Sequence, residues 1–96
     1  MDRYKDQEQN LEQLAEEAAE VIRIKAKCLR FGLDDFHPKN GHINRISLAH
    51  EIGHLLYIVI LLLHHKIIKK EDIKEGIRQK KRNLMEWYNF NRKKIQ

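Results

Sequence analysis

The chain is poor in the residues that punctuate or brace a fold. One proline and four glycines in 96 residues leave too few turn positions for a many-stranded architecture. No stretch alternates apolar and polar residues with the period of two that a half-buried strand requires. A single cysteine, Cys28, excludes an internal disulfide framework and fits a reducing, cytoplasmic setting. The first ten residues are polar and charged, so no secretory signal is expected there. The longest apolar run, Leu55 to Leu63, has nine residues and is closed by His64, His65 and Lys66. About twenty apolar residues are needed to cross a bilayer, so this run is expected to be a buried helix and no membrane contact is expected.

What the chain has in quantity is charge, 34% of its residues, and that charge is polarised. Residues 1–20 carry seven acids against two bases, a balance of −5, whereas residues 66–96 carry eleven bases against four acids, a balance of +7. A basic end suits nucleic acid or a phosphate-bearing ligand, and an acidic element elsewhere suits a cation. The length is that of one small domain, residues 1–96, with a polar N-terminus (1–6) and a basic tail (92–96) expected to fray.

The periodicities are helical. Leu11, Leu14, Ala15, Ala18, Ile22 and Leu29 recur at steps of three and four and predict a helix over about 7–31, with Gly32 as its C-terminal cap. Residues 33–42 collect turn formers, Asp34, Asp35, Pro38, Asn40 and Gly41. Asn44 is the expected N-cap of a second helix over about 45–65. From Leu55 onward that helix is apolar all round, which implies burial on more than one side and, in so small a chain, self-association. Glu71 and Asp72 suit the first turn of a third helix, in which Ile73, Ile77, Leu84 and Trp87 form a seam. The expected fold is all-α, an antiparallel helical bundle of three to four helices completed by oligomerisation.

Two acidic signatures carry the candidate chemistry, Glu16-Glu17-x-x-Glu20 and Glu51-x-x-His54. At about 100° per residue, Glu16 and Glu20 lie nearly opposite the first apolar stripe and Glu17 lies on their flank. Val21, Ile24 and Cys28 continue the Glu17 side, so these carboxylates border a second apolar strip. Hard divalent cations take oxygen ligands from a few carboxylates together with substrate phosphates, and carboxylates facing one another from adjacent bundle helices form a recurring metal site.

The segment Leu14-Ala15-Glu16-Glu17-Ala18-Ala19-Glu20-Val21-Ile22, the stretch Leu29-Arg30-Phe31-Gly32-Leu33-Asp34-Asp35, and Asn44-Arg45 with Glu51-Ile52-Gly53-His54-Leu55-Leu56 together resemble the MazG-like all-α nucleoside triphosphate pyrophosphohydrolases. The resemblance runs from about Leu11 to Leu63 and is looser from Ile77 to Trp87. It implies a helical bundle assembled as a homodimer or homotetramer, and cleavage of a (d)NTP into (d)NMP and pyrophosphate. It also implies catalytic roles for Glu16, Glu17, Glu20 and Glu51, and Mg²⁺ held by Glu17, Glu20, Glu51 and the residue at His54. That family's pattern ends in Asp where this chain has His54. An imidazole removes one negative charge and favours Mn²⁺ or Zn²⁺ over Mg²⁺. Lys80, Lys81 and Arg82, in the Lys-rich stretch, are the expected phosphate-binding residues. Phe31 and Tyr57 are the apolar groups considered for the base, with core packing as their expected role.

Two other readings draw on the same residues. His50-Glu51-Ile52-Gly53-His54 also spells HExxH, two imidazoles for zinc with Glu51 as general base. A third ligand at a diagnostic spacing is missing, however, and the reading leaves Glu16, Glu17 and Glu20 without a role. A non-catalytic module binding nucleic acid through Lys80–Arg82, Trp87, Tyr88 and Phe90 would have charge and stacking, but no recognition motif accompanies them. His37 and His42 are expected on the loop surface. His64 and His65 close the second helix, where positive charge suits the dipole.

Overall fold

A computed structural model describes residues 3–36 and 41–95; the loop positions His37, Pro38 and Asn40 lie outside them. The chain is an all-α helical bundle of three helices, α1 (Arg3–Phe31), α2 (Asn44–His64) and α3 (Lys70–Ile95). No strand occurs among the described residues beyond a single bridge pairing Phe36 with Ile43. The boundaries of α1 and α2 lie within about four residues of their sequence-based expectations, and Glu71 and Asp72 occupy the first turn of α3 as expected.

The helix ends show why the chain turns where it does. Gly32 ends α1 at φ 98° and its N–H donates to the Cys28 carbonyl at 3.0 Å, the single bond of a left-handed cap that a side chain at this φ would strain. The start of α2 departs from expectation. Ile43 is the N-cap and supplies no side-chain bond, while Asn44 is the first helical residue. Asn44 is only 4% exposed, and its Nδ2 donates to the Gly32 carbonyl at 2.9 Å, tying the start of α2 to the end of α1. The loop itself caps α2, since the N–H groups of Asn44 and Arg45 donate to the Asp35 and Leu33 carbonyls. Orphan donors of a helix start are satisfied by neighbouring backbone as well as by a polar side chain.

At the other end of α2, Ile67 N–H donates to Leu62 O and Lys66 N–H to Leu63 O, with Lys66 at φ 58°. This is a Schellman turn built without glycine. Leu62 is 2% exposed and Ile67 is half-buried, at the two positions whose apolar contact commonly accompanies such a turn. The turn is fully bonded and directs α3 away from the hairpin.

α1 and α2 pack as an antiparallel pair, and this is the one substantial helix–helix contact. It does not use the stripe that dominates the α1 sequence. The half-buried or buried residues of α1 include Leu14, Glu17, Ala18, Val21, Ile24 and Cys28, whereas Leu11, Ala15, Ile22 and Leu29 face outward, Ile22 with 63% of its surface exposed. The strip beside Glu17 wins because it pairs with the α2 face carrying Asn44, Glu51, Ile58 and Leu62. The buried apolar core among the described residues is correspondingly small: Ile24, Ile58 and Leu62.

Nor is α2 the buried helix expected. Leu56, Tyr57 and Ile60 are each more than half exposed. By length and composition α2 is the one described helix able to cross a membrane, with 11% of its apolar window buried. Phe31 and Tyr57, expected in the core, are both exposed, and the Arg30 guanidinium lies 5.2 Å from the Phe31 ring centre.

The three helices form a slab measuring 58 × 40 × 14 Å. Its thinnest dimension is little more than one helix diameter. The radius of gyration is 17.5 Å, against about 12.5 Å for a compact chain of this length.

Candidate metal centre

The two acidic signatures meet across the α1–α2 contact. In an antiparallel pair tied at Gly32 and Asn44, a position near the middle of α1 opposes one about two turns into α2, and that register sets Glu17 against Glu51 and His54. His54 Nδ1 lies 3.3 Å from Glu51 Oε2 and 3.8 Å from Glu17 Oε2. One ligand atom from each residue falls within 4.8 Å of the others, and no other such group occurs among the described residues. Glu17 and Glu51 are half-buried and His54 is exposed, so the group opens to one face of the slab with its carboxylates partly drawn in. Two anionic oxygens and an imidazole nitrogen suit a divalent cation of Mn²⁺ or Zn²⁺ type. Ligands about 2.1 Å from one ion lie within about 4.2 Å of each other, so the group fits an ion after side-chain adjustments of under about 1 Å.

Glu16 and Glu20 stand outside this group. Glu16 is exposed. Glu20 Oε2 is held by Arg23, whose Nε donates at 3.0 Å with Nη2 joining it on the same oxygen. Arg23 is held even more firmly protonated than a free arginine, first by the hydrogen bond to Glu20, then by the charge of Glu20, with Glu51 adding to it. Arg23 is therefore a cation bonded to Glu20 that also feels the charge of Glu51 across the helix contact. The sequence expectations missed it. The available signal was its place three residues after Glu20, on the same edge of α1.

The expected phosphate-binding residues are not brought to this group within the chain. Lys80, Lys81 and Arg82 are exposed on α3, and Arg82 reaches Glu75 on its own helix at 3.6 Å. The cause is the Schellman turn, which carries α3 away from the hairpin. His50 is not gathered with Glu51 and His54 either; its ring meets His42 edge-on at 5.7 Å. The i, i+4 imidazole pair that HExxH chemistry needs is thus not assembled. His64 and His65 end α2 with rings 5.2 Å apart.

Compared with known protein families, with curated proteins and with solved structures, the chain matches none.

Proposed function

We propose that this chain is a metal-dependent nucleoside triphosphate pyrophosphohydrolase, cleaving a (d)NTP to (d)NMP and pyrophosphate, and that it acts in the cytoplasm as a homo-oligomer. The observation that carries the reading is the convergence of Glu17 with Glu51 and His54. Two signatures about thirty residues apart in sequence meet at one point, and a solvated acidic face would give no reason for that. The resemblance of Leu11 to Leu63 to MazG-like enzymes supplies the reaction class.

Glu17, Glu51 and His54 would hold the cation, with Glu20 joining them once released by Arg23. A divalent cation there offsets charge on the phosphoryl group and makes a coordinated water more acidic. The remaining roles fall to the chain. Glu16, catalytic by the resemblance, is exposed on α1 outside this group and is assigned no step. Arg23, already bonded to Glu20, is offered as a further positive charge for the phosphates, beside the expected Lys80, Lys81 and Arg82. Its planar fork suits bidentate contact with phosphate oxygens.

The test is incubation with a panel of NTPs and dNTPs in Mg²⁺ or Mn²⁺. Both monophosphate and pyrophosphate should appear, and the absence of both across the panel sinks the proposal. Glu17→Gln and Glu20→Gln should each abolish turnover with helical content unchanged. Retained turnover would move the site elsewhere.

A further inference from the structure

The slab has two unlike faces. Helical phase in the antiparallel pair puts His54, Glu17 and Glu20 on one side. It puts Leu11, Ala15, Ile22 and Leu29 of α1 with Ile52, Leu56 and Leu63 of α2 on the other. Leu11, Ile22, Leu29, Ile52 and Leu56 are all exposed. The α3 seam is exposed too, with Ile77, Leu84 and Trp87 each more than 40% open to solvent.

Surface area shows how much cover is missing. The chain exposes 8329 Å², whereas a folded monomer of 11.6 kDa exposes about 5,800 Å². The excess, about 2,500 Å² per chain or about 5,000 Å² for a pair, reaches the upper part of the range that obligate homodimers bury.

Charge and phase indicate what covers it. Leu11, Ala15, Ile22 and Leu29 are spaced by four and by sevens, with Glu8, Glu12 and Glu16 along one border. On α3, Ile73, Ile77, Lys80, Leu84 and Trp87 share that spacing, with Lys74 and Lys81 along one border. When the two helices are set antiparallel, seam against seam, the lysine border falls beside the glutamate border; set parallel, it falls on the opposite side. Seating Trp87 over Leu11, Leu84 over Ala15 and Ile77 over Ile22 brings Lys81 beside Glu16. The bonded turn at Lys66 keeps α3 from taking this place on its own α1.

We infer that the occupant is a second copy of this chain: α3 of each copy lies antiparallel along the outer stripe of the other's α1, on the side away from Glu17, Glu51 and His54. The exchange is reciprocal, as two-fold symmetry requires, and leaves the carboxylate face open. It does not depend on the nucleotide reading.

The test mixes isotopically light and heavy chains, refolds them together and couples carboxylates to lysines with a zero-length carbodiimide. Light scattering at tens of micromolar should give at least twice the chain mass. Peptides joining Lys81 to Glu16 or Glu12 should be of mixed isotope in about half of the pairs, the statistical share for a symmetric dimer. Leu84→Asp should abolish the mixed peptides while α1–α2 helicity by circular dichroism persists. Isotope-pure Lys81–Glu16 links overturn the inference in favour of α3 folding back on its own chain. A monomer that sediments with anionic vesicles overturns it in favour of a membrane surface.

Discussion

Glu51→Gln should reverse the sign of its effect on stability according to whether a divalent cation is present. Glu17 and Glu51 are both more than two-thirds buried, with ligand atoms within 4.8 Å. Two like charges at that spacing repel by about 1 kcal/mol in a water-like medium and about 3 kcal/mol at an effective dielectric of 20. The nearby Arg23 offsets part of this, so in metal-free buffer the variant should be more stable by about 0.5–1 kcal/mol. A cation at a hundredfold excess over its dissociation constant adds about 2.7 kcal/mol to the native chain. The variant, with one carboxylate and His54 left, should keep little of that. Each kcal/mol moves the midpoint of a domain this size by about 4–8 °C. At equal chain concentration the variant should therefore melt about 2–8 °C above the native chain in EDTA, and about 8 °C or more below it in Mn²⁺. Far-UV circular dichroism measures both. A variant that melts lower in EDTA as well would make Glu51 a structural residue, and a native midpoint unmoved by Mn²⁺ would remove the metal site altogether.

The turns and the fourth ligand position offer further tests. Lys66→Gly should stabilise by about 0.5–1 kcal/mol in urea unfolding, because glycine adopts the left-handed conformation without the side-chain penalty. Gly32→Ala should destabilise by about 1–2 kcal/mol for the same reason reversed, although no heavy atom lies within 4 Å of the added methyl position; equal effects of one sign at the two positions would refute the conformational argument. Asn44→Ala should cost about 1–2 kcal/mol by leaving the Gly32 carbonyl without its side-chain donor and opening a small void, and a change under about 0.5 kcal/mol would mean water replaces the amide. His54→Asp should move the cation preference from Mn²⁺ toward Mg²⁺ in metal-dependent melting and turnover, and matching profiles in the two proteins would take His54 out of the metal's coordination sphere.

Much of the fold was legible because helix formation here is local. Apolar residues at steps of three and four located α1 and α3, a continuous apolar run located α2, and Gly32 announced the end of α1. Asn44 misled because its side chain has two uses. The sequence suggests a cap, but the loop backbone reaches the first amides of α2, and the side chain is then spent on Gly32. The choice between the two strips of α1 was not legible, since Leu11, Ile22 and Leu29 look like core to any count of apolar residues. What decides is the partner surface on α2, a tertiary fact. The convergence of Glu17, Glu51 and His54 follows from an antiparallel register that spacing allows without compelling. Arg23 was overlooked because a cation three residues from a glutamate usually forms only a surface ion pair; its nearness to Glu51 depends on α2. The direction of α3 rests on a left-handed lysine, a backbone state with no composition signal.

A slab 14 Å thick has an inside only while something lies against it. Among the described residues three apolar side chains are buried, a small return for ordering a chain of this length; with α3 of a second copy on the outer stripe, as inferred above, most of the stabilising burial would come from that contact. Folding and encounter then become one event. How soon a newly made chain reaches its working form depends on how many of its own kind are nearby, and until it meets one, Leu11, Ile22 and Leu56 stay open to chaperones and proteases. Abundance would then control the activity twice, through the number of chains and through the fraction of them that is folded.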